Sequence, residues 1–257
     1  MVLAMPNTND LSSDEKFRVY RRILASPIDE TVHWWYFGTV FIMIDGLPAM
    51  PTINAATLMI YRTEVLAKDR FAIHWDEVGY FTDYTTGNPV QSWLNPVTGQ
   101  TIAASRNFAE GPARYDVAQA AAGVSVTLTQ PGATVNSIDI DWRCEGDRVW
   151  IVQRERKTRG FPEVDGRLPD PDSPSGFEAV TRLAFMDERR SSGINTRGLY
   201  EFALAGAPPW MGLDPALKAR ATVHGMIVKA PVGAPPRPAS LTILRSMFPT
   251  FFKKHGV

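Results

Sequence analysis

The chain has 257 residues, 44% hydrophobic and 21% charged, the balance of an ordinary globular protein that buries about 70–75% of its unfolded surface. Its 27 Lys and Arg residues equal its 27 Asp and Glu residues, so no net field gathers phosphate backbones, and nucleic acid is excluded as the expected partner. A single cysteine, Cys144, excludes an intrachain disulfide framework and an all-cysteine metal site.

From Met1 to Asp10 no basic stretch precedes an apolar one, so no secretory signal is expected and the cytoplasm is the default location. Ser12-Ser13-Asp14-Glu15 spaces Ser12 and Glu15 as a capping box, and Phe17, Tyr20 and Leu24 follow at helical intervals. A short helix lying against the main domain is predicted, ending near Ser26-Pro27. From Thr31 the period changes. His33 to Ile44 is aromatic and β-branched on both alternating faces, the pattern of a strand buried on both sides. Within it Trp34 to Ile44 is the longest apolar run, but Gly38 and Thr39 break it well short of the ~18 residues a bilayer requires, so no integral membrane segment is expected.

After the turn Asp45-Gly46, strands are predicted at Asn54–Val65 and Arg70–Phe81. Two turn cassettes follow, Asp83-Tyr84-Thr85-Thr86-Gly87-Asn88 and Asn95-Pro96-Val97-Thr98-Gly99-Gln100, repeating at a spacing of 12 residues. Each offers an Asx side chain that accepts backbone N–H groups ahead of it, then a Gly free to take positive φ, so each closes a tight hairpin around the strand Pro89–Leu94. Further strands are predicted at Val124–Thr129, Ser137–Cys144, Arg148–Lys157, Phe177–Met186, Gly198–Leu204 and Ala221–Lys229. The expected fold class is therefore all-β and mainly antiparallel: a closed or nearly closed β-barrel of calycin or lipocalin type, with short helices at both ends of the chain. Three parts result: an N-terminal helical extension over 1–30, one barrel domain over 31–230, and a Pro-rich connector with an apolar, basic tail over 231–257. Gly160–Gly176, with four prolines, reads as a long loop, either a lid or a tolerated insertion; Ala207–Gly212 reads as a rigid turn presenting Trp210. The tail, with Phe248, Phe251, Phe252, Lys253 and Lys254, reads as a short helix stopped by Pro249. It would dock on its own barrel, on a second subunit as a homodimer contact, or on a membrane surface.

Known dinucleotide, phosphate-loop, nucleophile-elbow and His-Glu-x-x-His patterns are missing, and the four histidines, 33, 74, 224 and 255, are not paired at metal-ligand spacing. No metal and no cofactor are expected. The densest polar group is His74-Trp75-Asp76-Glu77-Val78-Gly79-Tyr80-Phe81. On a strand His74, Asp76 and Tyr80 share one face, where a His–carboxylate pair would move a proton and Tyr80 would steady a developing oxyanion; the same face would equally suit solvent. A second group sets Trp142 and Arg143 on opposite faces of one strand. In the next strand Trp150, Val152 and Arg154 share a face; if that face is inward, Arg154 meets an anionic ligand or a structural Asp. His33, Trp35, Tyr36 and Trp93 complete the expected substrate-binding wall, with core filling as the plainer alternative.

Three stretches, Trp35-Tyr36-Phe37-Gly38, Glu77-Val78-Gly79-Tyr80-Phe81 and Trp93-Leu94-Asn95-Pro96-Val97-Thr98-Gly99-Gln100, resemble the bacterial domain-of-unknown-function family DUF1838 over about Thr31 to Lys229. The resemblance implies one shared domain and supplies no catalytic positions. The functional expectation is a cofactor-independent lyase, isomerase or hydrolase acting on a small hydrophobic or aromatic molecule, anionic or neutral, held in the barrel; a non-catalytic, lipocalin-like carrier is the alternative.

Overall fold

A computed structural model describes residues 11–26, 30–103, 107–145, 148–159, 177–188, 196–204, 211–232 and 234–257. The long loop expected over 160–176, the predicted end of the first helix at Pro27 and the turn carrying Trp210 lie outside the described residues.

The helix α1 (Ser13–Leu24) begins with the capping box: the Ser12 N–H donates to Glu15 Oε2 at 2.8 Å, and the Glu15 N–H donates to Ser12 Oγ at 3.3 Å. Among the described residues twelve strands follow. They are β1 (Val32–Met43), β2 (Met50–Ala67), β3 (Arg70–Asp83), β4 (Ser92–Leu94), β5 (Thr101–Ala103), β6 (Asn107–Ala120), β7 (Gly123–Thr129), β8 (Ala133–Glu145), β9 (Arg148–Arg159), β10 (Phe177–Glu188), β11 (Arg197–Leu204) and β12 (Arg220–Pro231). The helices α2 (Pro238–Met247) and α3 (Pro249–His255) end the chain.

Ten strands form one antiparallel sheet in the order β7-β6-β3-β2-β1-β12-β11-β10-β9-β8. The first strand pairs with the last along its whole length, from Val32 opposite Pro231 to Met43 opposite Arg220. The sheet thus curls into a nearly closed barrel, as expected. Its edges are β7 and β8, which are consecutive in the chain and joined by the turn at Gln130–Gly132, yet share no ladder. Helix α1 covers this seam. Lys16 Nζ donates to Ala122 O at 3.4 Å beyond β6, and its ammonium stands 6.0 Å from the Trp142 ring on β8.

The apolar face of α1 enters the barrel. Phe17, Tyr20, Ile23 and Leu24 join inward side chains of β1, β2, β3, β6 and β9, among them Trp34, Tyr61, Phe71, Trp75 and Ile151. Each such burial contributes about 1.5–3 kcal/mol. The carbonyls left over at the helix C-terminus meet a cation from the barrel wall. Lys229 Nζ, on a side chain only 1% exposed, donates to Arg22 O, to Ile23 O at 3.0 Å and to Ala25 O at 3.2 Å. The helix is therefore a plug, rather than an extension lying beside the domain.

The opposite end is closed by the hairpin β4–β5, where Trp93 packs with Val40, Ile42, Ile53 and Met211. Both turn cassettes form as read. Asp83 Oδ1 accepts the N–H groups of Thr85 and Thr86 at 2.9 and 2.6 Å, and Asn95 Oδ1 those of Val97 and Thr98 at 2.8 and 3.2 Å. Gly87 and Gly99 take φ of 72° and 70°. Only the second turn opens into a ladder; the strand expected over Pro89–Leu94 shrinks to Ser92–Leu94, tied to β3 by one bridge at Thr82 and Pro89.

One long strand, β6, has no counterpart in the sequence reading. Its Gly111-Pro112 sits where the β3–β6 register shifts between Trp75 and Glu77, and Gly111 takes φ of 118°. The tail also differs: Pro249 ends α2 but sits in the first turn of α3. Both helices lie on the barrel's outer face, where Leu244 and Phe252 bury Trp35, Leu58, Ile60, Val78 and Tyr80. No helix among the described residues is long and apolar enough to cross a membrane.

Candidate functional site

His74, Asp76 and Tyr80 do share one face of β3, but it is the outer one, and the neighbours of each were not legible from spacing. His74 is half-exposed and its Nε2 lies 2.9 Å from Glu64 Oε2 on β2, not beside Asp76. Asp76 Oδ2 lies 3.0 Å from Lys254 Nζ and 3.1 Å from His255 Nε2, both on α3. Tyr80 donates to Ser240 Oγ of α2 at 3.1 Å. The three side chains therefore fasten or flank the C-terminal helices instead of meeting the inner aromatic wall. His33 and Trp35 face the same outer layer. Burial lowers the His33 imidazole to about 4, helped by the positive neighbours His255 and Arg245.

The two arginines expected to hold an anion also point outward. Arg143 is exposed, and Arg154 Nη1 lies 2.8 Å from Asp141 Oδ2 across the β8–β9 ladder. The inward row of β9 is the alternate one: Val149, Ile151, Gln153, Glu155 and Lys157, all buried. The condition under which Arg154 would meet a ligand, that Trp150 and Val152 face inward, is not met, and the structural Arg154–Asp141 pair is what forms. The physical reason is that both rows begin apolar and end polar, so alternation alone gives no sign of which faces in.

That inward row carries a buried polar network. Glu155 Oε1 accepts from Tyr115 at 2.7 Å and from Gln153 Nε2 at 2.6 Å; Glu155 Oε2 lies 2.6 Å from Lys157 Nζ. Lys157 also donates to Gln130 at 3.3 Å, and Tyr20 of α1 donates to Gln153 Oε1 at 2.6 Å. Burial, then the Glu155 charge, pushes the Tyr20, Tyr61 and Tyr115 hydroxyls far up, so all three remain protonated donors. The network anchors the plug to the wall.

Farther from the plug glycines enter the inner wall. The register aligns Gly38 with Gly225 and Ala55, Thr57 with Tyr36 and Gly79, and Gly198 with Ile227. The Tyr36 ring lies along this belt: a Cβ built on Gly38 would fall 1.9 Å from the Tyr36 hydroxyl. Tyr200 packs against it with ring centroids 4.5 Å apart. Glu77, on the same inner face of β3, adds its charge to burial in raising the Tyr36 hydroxyl. Three polar atoms here are buried without a hydrogen-bond partner: Tyr36 Oη, Thr57 Oγ1 and Trp75 Nε1.

Of the substrate-binding residues expected from sequence, Tyr36, Trp93 and Trp142 therefore face the interior, whereas His33, Trp35, Arg143 and Arg154 face out. Missed inner residues are Tyr20, Thr57, Tyr61, Tyr115, Gln153, Glu155 and Lys157. A usable signal was the Glu155/Lys157 spacing, which puts opposite charges on one strand face, where they neutralise each other. Among the described residues no three His, Cys, Asp or Glu side chains are grouped to hold a metal ion. Neither a protein-family model, a curated protein nor a solved structure matches the chain.

Proposed function

We propose that the protein binds a small hydrophobic or aromatic molecule inside its barrel. One observation supports the reading: aromatic rings, including Trp34, Tyr36, Tyr61, Trp75 and Tyr200, surround a belt of glycines in an interior plugged by α1 and capped by β4–β5. Small residues at this level let the Tyr36 ring lie against the wall, and the rings gathered there would supply a ligand with contact area without charge. Tail side chains are spent on this chain's own barrel, so the proposal includes no homodimer through them. We place the protein in the cytoplasm, on its lone free Cys144. The DUF1838 resemblance belongs to the same proposal, its signature turn being the one whose Asn95 donates to Met211 O at 2.8 Å and so holds the barrel cap.

A cofactor-independent lyase, isomerase or hydrolase is the second reading, favoured by the carboxylate of Glu77 beside Tyr36 and Tyr61. In that reading Glu77 moves the proton in place of His74 and Asp76, and Tyr36 donates to the oxygen that gains charge.

Native mass spectrometry with an absorption spectrum, on protein purified without added ligand, tests both. A retained apolar molecule supports interior binding. Bare protein whose tryptophan emission also ignores naphthalene-sized probes sinks it. If the retained molecule is converted by the native chain and not by a Glu77→Gln variant that still binds it, the enzymatic reading stands over the carrier.

A further inference from the structure

We infer that the C-terminal helix pair is an acid-released latch: α2 and α3 lie docked over two uncharged imidazoles, His33 and His255, and taking up protons on these rings lets the helices leave the barrel. Nothing in it depends on a ligand in the interior.

The geometry at His255 fixes its charge state. Arg62 Nη2, on β2, stands 2.6 Å from His255 Nδ1. A guanidinium can only donate, so Nδ1 is the accepting lone pair and the ring's one proton sits on Nε2, which faces Asp76 Oδ2 at 3.1 Å. The ring is sealed in this position, its side chain 1% exposed and the Phe251 ring 4.5 Å away. A second proton would have to enter between Nδ1 and the guanidinium. Asp76 does not offset the added charge alone, because Lys254 Nζ already stands 3.0 Å from the same Oδ2.

His33, on β1, is the second buried ring. It is 3% exposed and its Nε2 has no hydrogen-bond partner. Among the described residues, the groups that act on the two rings are Arg62 from β2, Asp76 from β3, Arg245 from α2 and Lys254 from α3, three cations against one carboxylate. Glu64, farther along the outer face of β2, is turned to His74 and Arg114. Burial lowers both rings. His255 and Arg245 help bring His33 to about 4, and at His255 the raising pull of Asp76 is outweighed by burial together with Arg62 and Lys254. Released, both rings return to the ordinary value of about 6.5, so the released form takes up protons first and docking is lost as pH falls below it. The helices leave before the barrel opens because both rings lie between sheet and helices. Lifting α2 and α3 from Trp35, Leu58, Ile60 and Val78 hydrates the rings and breaks no strand ladder.

The test is amide exchange by mass spectrometry on the full chain at pH 7.5 and 5.5, each rate referred to the intrinsic rate at its pH. Protection over 240–256 should fall at least about tenfold, the share of His33 alone. At both pH values it should stay at least about a hundredfold below that of the β1–β2 ladder. In His33→Phe the fall should shrink severalfold. In the double variant with His255→Gln, whose amide keeps an acceptor for Arg62 and a donor for Asp76, the tail should exchange alike at both pH values. A native tail that ignores pH overturns the inference, as does a fall that the double variant keeps. Equal protection of tail and ladder also overturns it, since the whole molecule would then open at once.

Discussion

Gly225 faces Gly38 across the β1–β12 ladder, and a Cβ built on it would stand 2.2 Å from Phe37 O and 2.5 Å from Gly38 Cα. Both are backbone atoms, so nothing can swing aside. Gly225→Ala should therefore cost about 2–3 kcal/mol in urea unfolding, with strand displacement as the cause. Lys229 is the converse case, a buried charge that donates to the Arg22, Ile23 and Ala25 carbonyls. Lys229→Met keeps the bulk but strands the end of α1, and should cost about 3 kcal/mol by the same measurement. His33 gives a pH dependence. Its folded-state value of about 4 lies below the ordinary 6.5, so the unfolded chain takes up the proton first. The neutral ring's contribution is complete above pH 6.5 and is lost as pH falls toward 4, amounting to about 3 kcal/mol there. Denaturant midpoints measured from pH 7.5 to 4 should decline accordingly, and His33→Phe should flatten the decline. Side-chain spacing put His74, Asp76 and Tyr80 on one face correctly. It did not reveal which face, because β3 is covered on both sides, by aromatic rings within and by the tail helices without.

At the level of elements, local chemistry was most readable where it closes on itself. The Ser12–Glu15 box and the Asp83 and Asn95 turns are built from bonds between near neighbours in sequence, and all three formed as their spacing implies. Strand β6 was unreadable for the opposite reason. Its Ala-rich, Pro-containing sequence has little strand propensity, and it is held by pairing with β3 and β7 on either side. The C-terminal helices likewise revealed their apolar stripe but not their dock. Asp76 provides part of it, reaching both Lys254 and His255. Asp76→Asn should loosen α3, lowering stability by about 1 kcal/mol and raising amide exchange through Thr250–Lys254, while the inner wall is left alone. Unchanged exchange in that segment would mean that apolar contact alone seats the helix.

The molecule as a whole is organised by one long-range ladder. Because β1 waits for β12, nearly the entire chain must exist before the barrel can close. Folding should be slow for the chain's size, and unfolding should appear as one transition by both tryptophan emission and far-UV dichroism. Barrel class was legible from the count and rhythm of strands. The seam was not, since no residue pattern at Gln130-Pro131-Gly132 distinguishes a hairpin turn from a step between unpaired neighbours.

That step has a practical meaning. Cutting the chain at Pro131 severs no hydrogen-bonded ladder, since β7 and β8 share none. The two pieces, 1–131 and 132–257, keep α1 with β1–β7 on one side and β8–β12 with both tail helices on the other. Co-expressed, they should find each other through the β1–β12 edge and reassemble, whereas pieces cut inside the β2–β3 turn should not. The seam makes this barrel a split protein held in one chain by a three-residue thread.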